Sequence, residues 1–324
     1  MRDKLIKILA DGRFHSGEKL GEQLGVSRTA VWKHLRKLES MGLSLERVRG
    51  TGYKIAAGTE LLAVAVIEQQ LMPATRRALK SIALFTSLES TNTYARQHAS
   101  EQPSHGLLVL AEHQSAGRGR RGKRWVSPFG SHLAMSLVWE FEARPHALEG
   151  LSLAVGVAIK RALATYGVAG VQLKWPNDIY FDGKKMAGIL LEMVVDPMGH
   201  CSVIIGVGIN FQLCELQAQS IDQAWTDVAS HLAADGSRNT LCAAIIDNLV
   251  DVLSAFVADG FAPYQQEWKD ADAWHGKRCT LSTARDSTTG TALGVDERGA
   301  LIMQLDDGRE SRFMGGELSL RLAP

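Results

Sequence analysis

Hydrophobic positions change their spacing twice along the chain. In the first sixty residues they recur at helical intervals. Leu5, Ile6, Ile8 and Leu9 predict a short amphipathic helix ended by Gly12, and Leu20 and Leu24 predict a second that Ser16 opens and Gly25 closes. Ser27 can N-cap a third helix, on which Ala30, Val31, Leu35 and Leu38 share one face. Residues 45–49 and 53–55 read as two short strands turned at Gly50-Thr51-Gly52, and residues 56–58 as a linker. From there helical and alternating patterns interleave. Thr59 is expected to cap a helix to about Leu71 that Pro73 closes, followed by a strand near 82–85, a helix from Thr91 and a strand over 107–111. Leu133, Met135, Leu137, Trp139 and Phe141 alternate with His132, Ser136 and Glu140, the period of a half-buried strand. A helix over 151–166 precedes strands near 171–174, 179–181, 185–195 and 201–209, with a hairpin turned at Asp182-Gly183. Asn239 can cap a long helix to about Val257. The remainder breaks into short runs, 278–282, 290–295, 300–305 and 310–314, that read as a small β-barrel. The class is α+β: an N-terminal helix-turn-helix with a wing over 1–58, a central mixed sheet with helices on one face over 61–270, and a small barrel over 271–324.

Composition excludes disorder and a membrane protein, since 45% of residues are hydrophobic and 22% charged, yet the longest later apolar run, 61–67, is too short to span a bilayer. The N-terminal apolar run is cut by Asp11 before it could serve as a signal peptide, so a cytoplasmic protein is expected. Cys201, Cys214, Cys242 and Cys279 are too scattered for a disulfide framework or zinc site and read as buried thiols. The net charge of +1 conceals an asymmetry: residues 1–58 carry twelve Lys and Arg against six Asp and Glu, leaving −5 for the rest. On the third helix Arg28, Thr29, Trp32, Lys33, Arg36 and Lys37 fall off the apolar face. A basic face beyond a glycine turn, with a wing, points to DNA. Arg28, Thr29 and Lys33 are the candidate base readers, and Lys37, Arg47 and Arg49 the candidate phosphate contacts. One such unit makes few contacts, which calls for a dimer on a two-fold symmetric site.

The densest chemistry lies between Gly117 and Trp125, where Arg118, Arg120, Arg121, Lys123 and Arg124 alternate with three glycines. A G-x-G-x-x-G reading fails because Pro128 forbids the helix that must follow, and a P-loop reading fails because Arg124 replaces the Ser or Thr that would hold Mg²⁺. The stretch should repel itself and stay open until an anion sits among its guanidinium forks and backbone N–H groups. Polar clusters recur at other strand ends: Ser90-Thr91-Asn92, Lys174-Trp175-Pro176-Asn177-Asp178, Lys185-Met186-Ala187-Gly188 and Gly206-Val207-Gly208-Ile209-Asn210, the last giving up side chains so that something can approach the backbone. No Ser/His/Asp or Cys/His nucleophile constellation accompanies them.

These clusters, with Met314-Gly315-Gly316-Glu317, stand in the order found in biotin protein ligases, and with the N-terminal winged helix the chain resembles the bacterial bifunctional biotin ligase/repressors over essentially its full length. The resemblance implies a class II synthetase-like catalytic fold, an SH3-like C-terminal barrel, and two half-reactions through biotinoyl-5′-AMP. It implies that Ser90, Thr91, Asn92, Gln114, Arg118, Gly119, Arg120 and Lys185 contact biotin. Arg118, Arg120 and Arg121 would meet phosphate with Mg²⁺ sharing the charge, and no protein-held metal site is implied. Asn177, Gly188, Asn210 and Trp225 would surround the nucleotide, Trp225 by stacking on adenine; Lys185, Arg118 and Arg120 would be catalytic. The implied partners are the biotin carboxyl carrier protein of acetyl-CoA carboxylase, operator DNA, and a second copy of the chain when the adenylate is bound. Ala224 and Val207 stand where Gly and Ala are usual. His132 and Ala134 stand where an Asn and a large residue are expected beside a sheet edge, and Glu317 and Arg321 resemble residues that tie the barrel to the active site. Two other readings share these features: a regulator that senses biotin without catalysis, and a ligase for a related cofactor such as lipoate.

Overall fold

The computed structural model describes residues 1–56, 59–141, 148–195, 201–234, 236–283, 286–315 and 318–323. Helices α1 (Arg2–Leu9), α2 (Gly17–Leu24) and α3 (Arg28–Ser40) and the hairpin of β1 (Leu45–Val48) and β2 (Gly52–Ile55) form the N-terminal unit. Both expected caps form: Ser16 accepts from the Lys19 N–H and Ser27 from the Ala30 N–H. Gly25 takes the left-handed conformation, φ 67°, that the tight α2–α3 turn requires. Leu5, Leu20, Val31, Leu35 and Leu38 are buried together, and Phe129, far away in sequence, joins them.

Next come α4 (Val64–Gln70) and α5 (Pro73–Ala78). Thr59 does not cap α4, whose N-cap is Ala63. Pro73 opens α5 instead of closing a helix, because in a first turn its missing N–H has no partner to lose. The central unit continues with β3 (Ser81–Phe85), α6 (Thr91–Glu101), β4 (Leu107–Ala111), β5 (His132–Phe141), α7 (Leu151–Thr165), β6 (Gln172–Lys174), β7 (Asp178–Phe181), β8 (Lys184–Val195) and β9 (Cys201–Asn210). After these come α8 (Glu215–Ala218), α9 (Arg238–Asp259) and α10 (Gln265–Asp270). The seven strands form one sheet in the order β3-β4-β5-β9-β8-β7-β6, with β3 and β4 parallel and the other neighbours antiparallel.

The two long helices cover one face: Leu108, Leu110, Leu133, Met135 and Leu137 belong to the same buried cluster as Val155 of α7 and Ile245 of α9. On the opposite face Leu107, Val109, Val138 and Ile204 pack on Ala95 of α6. That is why β5 is buried on both sides and not half-buried, with His132 and Ser136 fully enclosed. Nor do His132 and Ala134 lie beside a sheet edge, since β5 runs between β4 and β9.

Ser237, not Asn239, caps α9. The Asn239 side chain instead accepts from Ala63 N–H and donates to the Leu61 carbonyl. Beside it the buried Arg238 donates to the Glu112 carboxylate and to the carbonyls of Glu60 and His132. Among the described residues α9 is the one helix long and apolar enough to cross a membrane, but most of that stretch is buried as core.

The chain ends in a five-stranded antiparallel sheet, β13-β12-β11-β10-β14, built from β10 (Arg278–Ser282), β11 (Ser287–Val295), β12 (Leu301–Leu305), β13 (Glu310–Phe313) and β14 (Ser319–Leu322). The sequence pattern misses β14, a strand of four residues. On its way into this sheet the chain crosses the free edge of β6 at residues 271–273: Leu173 N–H donates to Ala271 O and Ala273 N–H to Leu173 O. Cys201, Cys242 and Cys279 are buried as expected, whereas Cys214, at the surface start of α8, is exposed.

His132 supplies a test of this packing. Burial, with Arg238 adding to it, lowers its pKa to about 3, while its bond to the Pro128 carbonyl opposes the shift. A histidine whose folded pKa lies below the unfolded value stabilises fully above pH 6.5 and loses that contribution as pH falls toward 3. Wild-type stability in urea should drop by up to about 1.4 kcal/mol per pH unit on this account below pH 6. His132→Asn should flatten that slope; parallel curves for the two proteins would refute the assignment.

Candidate active site

A cavity of about 710 Å³ opens on the α6 face of the sheet, where the strands carry small side chains. Ala134, Gly188, Gly206 and Gly208, on the same face of β5, β8 and β9 as the buried Ser136, form its floor, and two residues use the space they leave. A Cβ at Gly206 would lie 2.0 Å from Asn92 Oδ1, and one at Gly208 would lie 2.6 Å from the Trp125 ring. The glycines of the 206–210 cluster therefore admit parts of the protein itself.

At one end of the cavity Ser90 caps α6, its hydroxyl accepting from Thr93 N–H. Thr91 donates through its N–H to Gln114 Oε1 (2.8 Å), and Gln114 donates through Nε2 to Ser127 Oγ (2.8 Å). Ser136 Oγ lies 2.8 Å from Thr91 Oγ1 and 2.6 Å from Asn92 Oδ1, and Asn92 donates to Glu192 Oε2 and Leu190 O. Ser90, Thr91, Asn92, Gln114, Ser127 and Ser136 are all buried and partnered, so the cluster is fixed before any ligand arrives.

The cationic part is organised by a β-bulge. β7 and β8 shift register between Ile179 and Tyr180, so that Tyr180 faces Lys185 and Ile179 faces Ala187, leaving Met186 as the extra residue. Without it Lys185 would share a face with Ala187; with it Lys185 turns toward Gly188, whose Cβ position is 3.4 Å from Lys185 Nζ. Lys185 Nζ sits 2.6 Å from Asp178 Oδ1, and Lys174 Nζ 3.3 Å from Asp178 Oδ2. Burial alone would raise the Asp178 carboxyl, but the two ammonium groups hold it below the usual carboxylate range. Burial lowers the Lys174 pKa, against Asp178 and with help from Lys185. Lys174 also faces the Tyr180 and Trp274 rings, at 5.4 and 4.5 Å.

The Arg-Gly stretch is not the open loop that its charge suggests. It folds back on itself: Gly119 N–H donates to Lys123 O, Trp125 N–H to Gly117 O, and Arg118 and Arg124 form a β-bridge. Charge is relieved from outside it. Arg118 pairs with Glu192 at 2.9 Å and Arg120 donates to Asn177 Oδ1 at 3.0 Å. Arg121 sits at the tip with φ 56° and is exposed.

Ser90, Thr91, Asn92, Gln114, Arg118, Gly119, Arg120, Arg121, Asn177, Lys185 and Gly188 thus all line one cavity, and Arg321 of β14 reaches it too. Glu317 lies outside the described residues. Asn210 and Trp225 do not line this cavity; they line a smaller one of about 50 Å³ next to it, which shares Trp125 and Lys185. Asn210 donates to Thr226 O and anchors the segment carrying Trp225, which bridges to Lys185 through Ala224 O and Thr226 N–H. Ala224 contributes there through its carbonyl, and Val207 points away into the core. Sequence reasoning gave no role to Ser136, Glu192, Ser127 or Trp125. A serine and a glutamate inside otherwise apolar strands were the available signals. Among the described residues no cluster of His, Cys, Asp or Glu could hold a metal.

In the winged unit Arg28, Thr29, Lys33, Lys37 and Arg49 are exposed. Arg28 lies over Gly17 and near Tyr53, and Arg47 is paired with Glu39.

Comparison with known proteins places these features. Residues 84–210 match the biotin/lipoate A/B protein ligase family, residues 2–54 a helix-turn-helix domain and residues 275–321 the biotin protein ligase C-terminal domain. The chain is 38% identical over 320 residues to the bifunctional ligase/repressor BirA of Escherichia coli, covering 99% of this chain and 97% of that one. It is 31% identical to its namesake in Bacillus subtilis, covering 95% of each. The structure of a biotin protein ligase from Aquifex aeolicus in complex with biotin and ATP is similar with a TM-score of 0.65 at 26% identity, over 76% of this chain and all of that one.

The floor of the cavity can be tested by substitution. Gly206→Ala should displace Asn92 and cost about 1–3 kcal/mol of unfolding free energy, as overpacking does. Gly188→Ala, whose nearest neighbours are 3.3–3.4 Å away, should cost less. Equal melting temperatures for the two variants would contradict this geometry.

Proposed function

The chain belongs to the family of bifunctional biotin ligase/repressors, and from that premise we propose that it joins biotin and ATP as biotinoyl-5′-AMP, releasing pyrophosphate. It then transfers the biotinoyl group to a lysine of the biotin carboxyl carrier protein of acetyl-CoA carboxylase. With the adenylate bound it represses biotin synthesis genes. The observation that carries the reading is the convergence of Lys185, Arg118, Arg120 and Arg121 on the cavity that Ser90, Thr91, Asn92 and Gln114 also line.

In this reading Ser90, Thr91, Asn92, Gln114 and Gly119 hold biotin, with Lys185, Arg118 and Arg120 at its carboxylate. Arg121, Asn177, Gly188, Asn210 and Trp225 surround the nucleotide. The carboxylate oxygen forms a bond to the α-phosphorus as the bond to pyrophosphate breaks. Two anions must meet, so the chief requirement is fixed positive charge, which the loop guanidinium groups and Lys185 supply. Arg118 and Arg120 exchange Glu192 and Asn177 for the ligand's anionic oxygens, and Lys185 polarises the mixed anhydride's carbonyl. The carrier's lysine amine then attacks that carbon and AMP leaves. No enzyme nucleophile is needed. Among the described residues no carboxylate cluster would hold Mg²⁺, so the ion would arrive with ATP and would supply further positive charge at its phosphates.

For repression, Arg28, Thr29 and Lys33 read bases and Lys37, Arg47 and Arg49 hold phosphates, Arg47 giving up Glu39. Two copies joined in the adenylate-bound state place two winged helices on one operator. We assign DNA binding to 1–58, catalysis to 61–270 and the C-terminal domain to 271–324, in the cytoplasm and without a membrane partner. The intact cationic cavity argues against a sensor without catalysis, and the biotin-specific names of other relatives and of the similar Aquifex structure argue against lipoate.

Biotin-dependent exchange of labelled pyrophosphate into ATP tests the ligase. Lys185→Ala should lower kcat/KM in that assay by about 10²–10³. The fold should survive because Asp178 keeps Lys174 as a partner. Near-normal exchange would remove Lys185 from the site, and no exchange by the wild type would end the ligase reading. Separately, the double variant Arg28→Ala, Lys33→Ala should lose DNA binding and retain ligation; loss of both together would mean that the two activities are not carried by separate units.

A further inference from the structure

Phe129 belongs by sequence to the central unit but by packing to the N-terminal one. It is 1% exposed and, among the described residues, is the one fully buried member of the winged helix's core that comes from outside residues 1–56. Its N–H donates to Met41 O at 2.8 Å, at the end of α3. The preceding Pro128 lies against Gly42, where a Cβ would be 2.7 Å from the proline ring, and the Gln217 side chain donates to both Gly42 O and Ser131 Oγ at 2.9 Å. The winged helix is therefore seated on residues 128–131, chiefly through one aromatic plug.

The same short segment begins in the ligand cavity. Trp125 lies over Gly188 and Gly208 on the cavity floor. Ser127 accepts from Gln114, which holds Thr91. Three residues thus separate a ring in the ligand pocket from a ring in the core of the DNA-binding unit, and one of them is a rigid proline. Any shift of Trp125 or Gln114 on ligand binding reaches α3 with little slack. Coupling requires an element with differential contacts to both sites, and this segment makes contacts at each end.

We propose that Phe129 is the positioning residue through which the state of the ligand pocket sets the orientation of the winged helix, and so the fit of two recognition helices to one operator. The inference rests on the ligase/repressor reading and deepens it. Phe129 lines neither cavity and is buried in the core of the winged unit.

The test uses the full chain and DNA fragments that the wild type selects from a random library in the presence of biotin and ATP. The quantity read is the ratio of DNA affinities with and without biotin plus ATP, beside pyrophosphate exchange in the same preparation. Phe129→Ala should bring the ratio close to 1 while exchange stays within about threefold of wild type; ratios of 5–150 are typical of coupled sites. Phe129→Leu, which refills most of the socket, should restore most of the ratio. An unchanged ratio in Phe129→Ala overturns the proposal, even if both affinities fall, because a merely structural role weakens binding equally in the two states. Parallel loss of exchange and DNA binding in both variants also overturns it. A wild type whose DNA binding ignores biotin and ATP would instead refute the repressor reading on which the proposal stands.

Discussion

Asp178 accepts from two lysines at once, and the cationic chemistry of the pocket depends on that arrangement. A buried carboxylate is unfavourable alone and a buried ammonium equally so; each is tolerated because the other is fixed beside it. Lys185 reaches Asp178 from the face of Gly188 only because one extra residue, Met186, shifts the β7–β8 register. The bulge, the shared carboxylate and the Trp274 ring over Lys174 therefore form one device. It holds a positive charge at a defined point of the pocket.

The other half of the pocket is built on the opposite economy of size. Where the strands would ordinarily present Val or Ile to a covering helix, β5, β8 and β9 present Ala, Ser and Gly, and the first turn of α6 enters the space with Asn92. The gap is lined by Asn92 and Trp125, and the hydroxyls and amides around it already satisfy one another. Preorganisation of this kind removes the entropy cost of ordering side chains when a ligand binds. The Arg-Gly loop follows the same logic, with Glu192 and Asn177 holding guanidinium groups that would otherwise fluctuate until an anion bound them.

Much of this was legible in the sequence because local rules and global fold agree. The Ser16 and Ser27 caps, the Gly25 turn, β4 and the 182–183 hairpin each follow from short-range chemistry. The candidate pocket residues could be grouped because they punctuate strand ends. What escaped was whatever depends on a distant partner. The period-two pattern of β5 read as one exposed face, since nothing local announces that α6 and the pocket cover it. Likewise the charge of the Arg-Gly stretch predicted repulsion, since Glu192 lies more than seventy positions away. The bulge is equally silent, because Lys185-Met186-Ala187 carries no glycine or proline to mark a change of register.

The crossing of β6 by residues 271–273 gives the C-terminal sheet a role beyond its own stability. A central sheet of seven strands ends in two edges, and an uncovered edge offers a row of unpaired N–H and C=O groups to any extended chain that passes. Here the backbone of Leu173 is paired with Ala271 and Ala273, and Trp175 donates to Gly299 O from the adjoining turn. Residues 271–273 thereby shield this edge of the central sheet from strand addition by neighbouring molecules. Without residues 271–273 in place the β6 flank of the central sheet is open, so the segment that leads into the C-terminal sheet acts on solubility as well as on shape.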